Sequence, residues 1–113
     1  MTVTALPTSV EGVLVLRVLG EVDLITVDRL REQLHHYLHD YRGLVLDFTG
    51  VSFLAACGIG LLLEIADRAR AEGTVLRLVT HGRLVLRALE VSRADQQLAR
   101  ASTVAEAVAQ CAA

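Results

Sequence analysis

The 113-residue chain contains no lysine and no tryptophan, one proline, and only two phenylalanines and two tyrosines. Each shortage excludes something. The 11 basic residues are all arginines, scattered singly along a chain of net charge -2, so nothing resembles the basic stripe of a nucleic-acid surface. Missing lysine together with abundant alanine reads as GC-rich coding and carries no functional signal. Cys57 and Cys111, the two cysteines, are too few and too far apart in sequence for a disulfide framework, and neither has zinc-ligand spacing. No apolar run approaches the roughly 20 residues of a membrane-spanning helix. No basic segment precedes an apolar one in Met1–Gly20, so no signal peptide is expected. These exclusions predict a soluble, cytoplasmic protein without membrane contact. With 53% hydrophobic and 21% charged residues the chain is expected to fold, and its length suits one domain, 1–113.

What is present concentrates in Gly43–Glu64, GLVLDFTGVSFLAACGIGLLLE. Leu44–Leu46 and Phe48 form an apolar run around Asp47, short enough for a covered strand, which Gly50 and Ser52 are expected to end. From Gly58, the residues Leu62, Ile65, Ala66 and Ala69 recur at helical spacing up to Gly73, a residue suited to a left-handed cap. The intervening loop Phe53–Cys57 then lies at a strand's carboxyl end and a helix's amino end. In an open α/β sheet that is the usual place for function.

The remaining elements follow the same logic. Val3–Leu6 and Val13–Leu19, joined through Glu11-Gly12, read as a hairpin. Val27, Leu30, Leu34, Tyr37 or Leu38, and Tyr41 keep a helical period, with Thr26 as N-cap, Asp28 in the first turn and Gly43 closing the helix. Thr74–Val79 reads as a strand, Arg83–Val91 as a helix, Gln97–Ala101 as a short strand, and Thr103-Val104-Ala105-Glu106 as the capping box of a last helix. Strands alternating with helices imply parallel pairing, and the hairpin adds an antiparallel member. The expected architecture is α/β, a mixed sheet of about four to five strands covered by about four helices.

Candidate chemical groups are few. His35 and His39, at i and i+4 beside His36, present two possible metal ligands on one helix face, but a third is missing there, so a solvated face is expected. His81 ends the strand after the loop, where it is the one histidine placed to serve Cys57 as a base; no orienting acid accompanies it, which argues against an enzyme. Gly58 and Gly60 are expected to let a helix approach the sheet closely, since G-x-G without a third spaced glycine or a Lys-Ser/Thr pair does not make a phosphate loop.

Three segments carry a family resemblance: Gly20-Glu21-Val22-Asp23, the stretch VLDFTGVSFLAACGIGLLL at Val45–Leu63, and Leu89-Glu90-Val91-Ser92. Together they resemble the STAS domain family, whose single-domain bacterial members are anti-anti-sigma factors. The resemblance implies a partner switch. The unphosphorylated domain binds an anti-sigma factor of the histidine-kinase-like ATPase fold, which is also a serine kinase, and phosphorylation of a loop serine ends the binding. It implies no cofactor and no metal, and a monomer or weak dimer. Partner-binding residues carried over from the family are Asp23, Leu54, Ala55, Ala56, Cys57, Gly58, Ile59 and Leu61.

The family's D-S-S-G falls here on Ala55-Ala56-Cys57-Gly58, so Cys57 stands at the phosphoacceptor position and is not a substrate for a serine kinase. A phosphate of about -2 charge disrupts an apolar interface by repulsion and desolvation; this loop has lost the group that would carry it. The expectation is constitutive binding through an exposed, uncharged face at residues 54–61. Cys57 has three readings: a small residue that fits where serine fits; at a helix amino end that favours thiolate, a redox or small-ligand sensor; or a thiol that forms a mixed disulfide with a partner. Asp23 likewise either meets a basic group of a partner or caps the helix near Thr26. Thr49 and Ser52 are expected as turn residues, and Arg93 stands where the family has glycine, which predicts a differently shaped turn.

Overall fold

A computed structural model describes residues 1–112. Five strands form one sheet in the order β1-β2-β3-β4-β5: β1 Thr2–Pro7, β2 Val13–Val22, β3 Gly43–Leu54, β4 Val75–Val79 and β5 Arg100–Ala101. β1 and β2 make an antiparallel hairpin, and every later pairing is parallel. Four α-helices connect and cover them: α1 Val27–Asp40, α2 Ala56–Glu72, α3 Arg83–Val91 and α4 Val104–Ala112, with a single 3-10 turn at Ala94–Gln96. This is the mixed α/β architecture expected from the alternation of periods.

Side-chain alternation along the strands builds two unequal cores. Leu14, Leu16, Leu44, Leu46, Phe48 and Leu78 face α1, α2 and α3 in the larger one. The intervening Val13, Val15, Val45 and Val79 pack with Ala101, Ala107 and Cys111 under α4. Leucine fills the thick side and valine the thin one. At the thin side the fit is tight enough that a Cβ on Gly43 would stand 2.8 Å from Cys111 Cβ.

The central strand is longer than its apolar run suggested. Gly50 and Ser52 do not end it; β3 reaches Leu54, and pairing with β2 steps from Arg17↔Asp47 to Leu19↔Gly50 and from Gly20↔Val51 to Glu21↔Phe53. Each step leaves one extra residue on β3. These are bulges, which locally increase twist and keep a strand going through residues that otherwise read as breakers. Thr49 and Ser52 therefore lie in a strand rather than a turn, and the Thr49 hydroxyl donates to Asp47 Oδ1 at 2.7 Å.

Other boundaries move for local reasons. α1 ends at Asp40 with an extended Tyr41, and Gly43 is already the first residue of β3 rather than a helix cap. Thr26 does not cap α1 through its side chain. Gly73 does what was expected of it: with φ 73° it closes α2, and Thr74 N–H reaches back to the Ala69 carbonyl at 2.9 Å. The expected strand from Gln97 shrinks to Arg100–Ala101 because the N–H groups of Gln97 and Leu98 both turn back to the Ala94 carbonyl of the 3-10 turn. Only half of the α4 capping box forms: Glu106 N–H donates to Thr103 Oγ1 at 3.1 Å, while the Glu106 carboxylate accepts from Gln110. Arg93 adopts φ 63°, a left-handed conformation that glycine takes more readily than arginine.

Candidate functional site

β2 and β3 run parallel and end together at Val22↔Leu54. Their exits are tied: Ala55 N–H donates to the Val22 carbonyl at 2.8 Å. Asp23 then starts one turn and Ala56 starts α2. The expected loop Phe53–Cys57 contracts to a single residue, Ala55, because Phe53 and Leu54 belong to the strand and Cys57 to the first turn of the helix.

Asp23 organises its own turn. Its Oδ1 accepts from Ile25 N–H at 3.0 Å and Thr26 N–H at 3.1 Å, and its N–H donates to Thr26 Oγ1 at 3.0 Å. Asp23 thus closes the turn at residues 24–26 that leads into α1, while the helix itself, with Thr26 at its N-cap position, has no side-chain cap. The turn lifts the two intervening side chains off the protein: Leu24 is 81% exposed and Ile25 90% exposed. Neither stood out in the sequence. The available signal was two adjacent large apolar residues between a turn-forming aspartate and the first helical position, outside the periodic stripe of α1.

Of the eight residues carried over from the family, the fold brings all to this corner but does not expose them alike. Leu54, Gly58, Ile59 and Leu61 are buried, so the face is not the continuous exposed strip 54–61 that was expected. Helical geometry explains it: Ile59 and Leu61 point with Leu62 into the larger core. The solvent side is made by Ala56 and Gly60, with Ala55 and Cys57 half-buried and Asp23 at the border. Phe53, 48% exposed, stands beside Glu21 across the strand pair.

The two glycines differ. A Cβ on Gly58 would lie 2.6 Å from Leu54 Cδ1 and 2.9 Å from Val22 Cγ1, so glycine is needed for α2 to start this close to the sheet. A Cβ on Gly60 would meet nothing within 4 Å. The expected packing role of Gly60 is therefore wrong: it is a bare spot on the exposed side of the helix.

Cys57 is a free thiol that packs against the edge of the larger core. His81 lies elsewhere, in clefts lined by Leu86 and Arg100 or by Arg83 and Glu90, and Cys57 lines neither. The histidines of α1 are not simply solvated. His35 Nε2 is 2.7 Å from Glu64 Oε2, and His39 Nδ1 is 3.6 Å from Glu72 Oε1, so both pair with α2. The hydrogen bond from His35, aided by Arg31, holds the Glu64 carboxyl below its ordinary 4.5. Among the described residues no three His, Cys, Asp or Glu side chains gather as a metal site. Cys111 is the opposite of a reactive thiol: burial between α4, which carries it, and the sheet pushes its pKa up.

The sequence that builds this corner matches a family model. The STAS domain model aligns with residues 6–107. The chain belongs to the STAS domain family. A relative, a candidate anti-anti-sigma factor of Mycobacterium tuberculosis, is 40% identical over 47 residues; the match spans 42% of this chain and 32% of that protein, about a third of its length. The STAS fold itself recurs in an anti-sigma factor antagonist from Mycobacterium paratuberculosis, with TM-score 0.85, 24% identity, and 97% of this chain and 94% of that one covered. It recurs again in the Bacillus anti-sigma factor antagonist SpoIIAA in its unphosphorylated form, with TM-score 0.79, 20% identity and coverage of 96% and 95%. At these identities the likeness concerns the fold. No described helix of this STAS domain is long and apolar enough to cross a membrane.

Proposed function

We propose that this STAS domain is an anti-sigma factor antagonist that binds an anti-sigma factor of the histidine-kinase-like ATPase fold, and that it does so without the phosphorylation switch. The binding face consists of Leu24, Ile25 and Phe53 together with Ala55, Ala56, Cys57 and Gly60, bordered by Asp23. Leu54, Gly58, Ile59 and Leu61 hold that face in shape from beneath.

The observation that carries the reading is the near-complete exposure of Leu24 and Ile25 beside a helix start that has neither a carboxylate nor a hydroxyl at residues 55–57. Two large apolar side chains held out by an aspartate turn cost solvation unless something covers them, and clustered exposed apolar groups mark interaction surfaces. Cys57 preserves the size of the family's serine while removing the phosphate acceptor. Thr49, whose hydroxyl is engaged by Asp47, is a poor substitute acceptor.

The test is a binding assay with purified anti-sigma ATPases of the source organism, run with ATP and magnesium. Stable binding that persists with ATP, no phosphate on residues 49–61 by mass spectrometry, and loss of binding in Leu24→Asp/Ile25→Asp at unchanged thermal stability are expected. Phosphate on Ser52 or Thr49, or full binding by the double variant, overturns the reading. Binding that changes only after thiol alkylation transfers the function to Cys57 as a sensor. Ala55→Asp/Cys57→Ser should restore phosphorylation.

A further inference from the structure

At the far end of α2 from Cys57 lies a second feature. The C-terminal half of α2, the outer edge of β4 and residues 97–99 enclose a cleft of about 280 Å³. Its floor is apolar, with Leu46, Leu62 and Leu78 each at most 2% exposed. Arg70 and Arg77 line it and no carboxylate does, against the negative sign of the chain as a whole.

The edge of β4 supplies a further donor. β5 pairs with β4 only at Leu78 and Val79, and Leu78 N–H donates to the Ala99 carbonyl at 2.9 Å. Backbone N–H groups alternate sides along a strand, so Leu76 N–H faces the same way, beyond the reach of β5 and without a partner among the described residues. Arg77 leaves the sheet on the α4 face, where Nε donates to Gln110 Oε1, and Nη1 reaches the strand edge to donate to the Leu76 carbonyl, both at 2.8 Å. Two of its five N–H donors are thus engaged and the rest are available. Arg70 bonds Asp67 in an exposed pair three residues away, an arrangement that exchanges at little cost.

We propose that this cleft binds a small amphipathic monocarboxylate. The alkyl body lies on Leu46, Leu62 and Leu78; the carboxylate takes the Arg77 guanidinium and the Leu76 N–H, with Arg70 at the rim. A carboxylate fits because it is planar and accepts from a guanidinium fork while using a strand-edge N–H. An alkyl chain fits because the floor offers no polar group to satisfy. A cavity of about 150 Å³ holds benzene, so this volume admits a guest of roughly ten carbon atoms. The site is separate from the docking face and does not depend on the proposed antagonism.

Nitrogen-15 labelled full-length protein titrated with sodium hexanoate, octanoate, decanoate and tetradecanoate in heteronuclear NMR tests this. Shifts should centre on α2 beyond Leu62, on β4 and on residues 97–99. Affinity should rise about fourfold per added methylene and level off once the cleft is full. Decanol and decyltrimethylammonium should bind at least tenfold more weakly than decanoate. Arg77→Gln should lose about as much, and Ala66→Leu, which fills the cleft, should abolish binding. Should Ala66→Leu fail to fold, the exposed Arg70→Gln, expected to weaken binding a few-fold, and the headgroup comparison decide. Absence of shifts up to the solubility of decanoate, equal affinity for the ammonium amphiphile, or shifts centred on Leu24 and Ile25 overturns the proposal.

Discussion

The two ends of α2 are built on opposite terms. The C-terminal end follows local helix rules: Arg68 pairs with Glu72 at i,i+4, Arg70 with Asp67, and Gly73 closes the last turn with Thr74 N–H returning to Ala69. The N-terminal end breaks them. It has no side-chain cap, no acid in its first turn and two glycines within its first five residues. What holds it is tertiary: the Ala55 to Val22 hydrogen bond and the fit of Gly58 against Leu54 and Val22. Where local preference and fold disagree, function is the usual reason, and this is the end that carries the proposed docking face.

Substitutions can break or sharpen that contrast. The largest effect should come from Gly58→Val, which drives a side chain into Leu54 and Val22; overpacking of this kind costs about 2 kcal/mol or more, read as a lower urea midpoint. Gly73→Ala, at the orderly end, should cost less, about 1 kcal/mol, because alanine must then adopt a left-handed φ. Ala55→Asp should act in the opposite direction. Ala55 already has the extended backbone of an N-cap, with φ -73° and ψ 164°, so a capping carboxylate should gain roughly 0.5–1 kcal/mol. If the gain is absent, the amino end of α2 is less open than the comparison implies.

The smallest effect concerns the middle of the helix, where Glu64 meets His35 and Arg31 of α1. A carboxyl whose folded-state pKa is lowered contributes stability that is fully present above its unfolded value and is lost as pH falls through the folded one. The stability that the Glu64 carboxylate contributes, read as the difference between the parent and Glu64→Gln, should therefore shrink as pH drops below 4.5. Because the pair is exposed, the difference should be small and should fade with added salt. Equal acid unfolding curves for the two proteins would mean that the pairing contributes nothing.

Most of the fold was legible because it depends on short-range periodicity. The helical stripe of α2, the cap at Gly73, the apolar start of β3 and the span of α3 all match their sequence patterns. The end of β3 was not legible, since the irregularities at Phe48-Thr49 and at Ser52 use residue types that also make turns. The proposed docking face was half legible. Motif spacing located Ala55–Gly58, but spacing carries no information on orientation, and half of the carried-over residues proved to be interior. Leu24 and Ile25 were missed because an isolated apolar pair reads as core until the turn made by Asp23 is seen to hold it outward.

By itself, the order of residues determined that this is an α/β domain of the STAS type, and that residue 57, at the start of its second helix, is a thiol. Those properties follow from pattern and from chemical identity, which need no coordinates. Only the tertiary structure decided which apolar residues remain in water, why Gly58 must be glycine while Gly60 need not be, and that β4 leaves an edge amide beside an arginine. Each of these depends on where a neighbour distant in sequence happens to end, and neither propensity nor spacing encodes that.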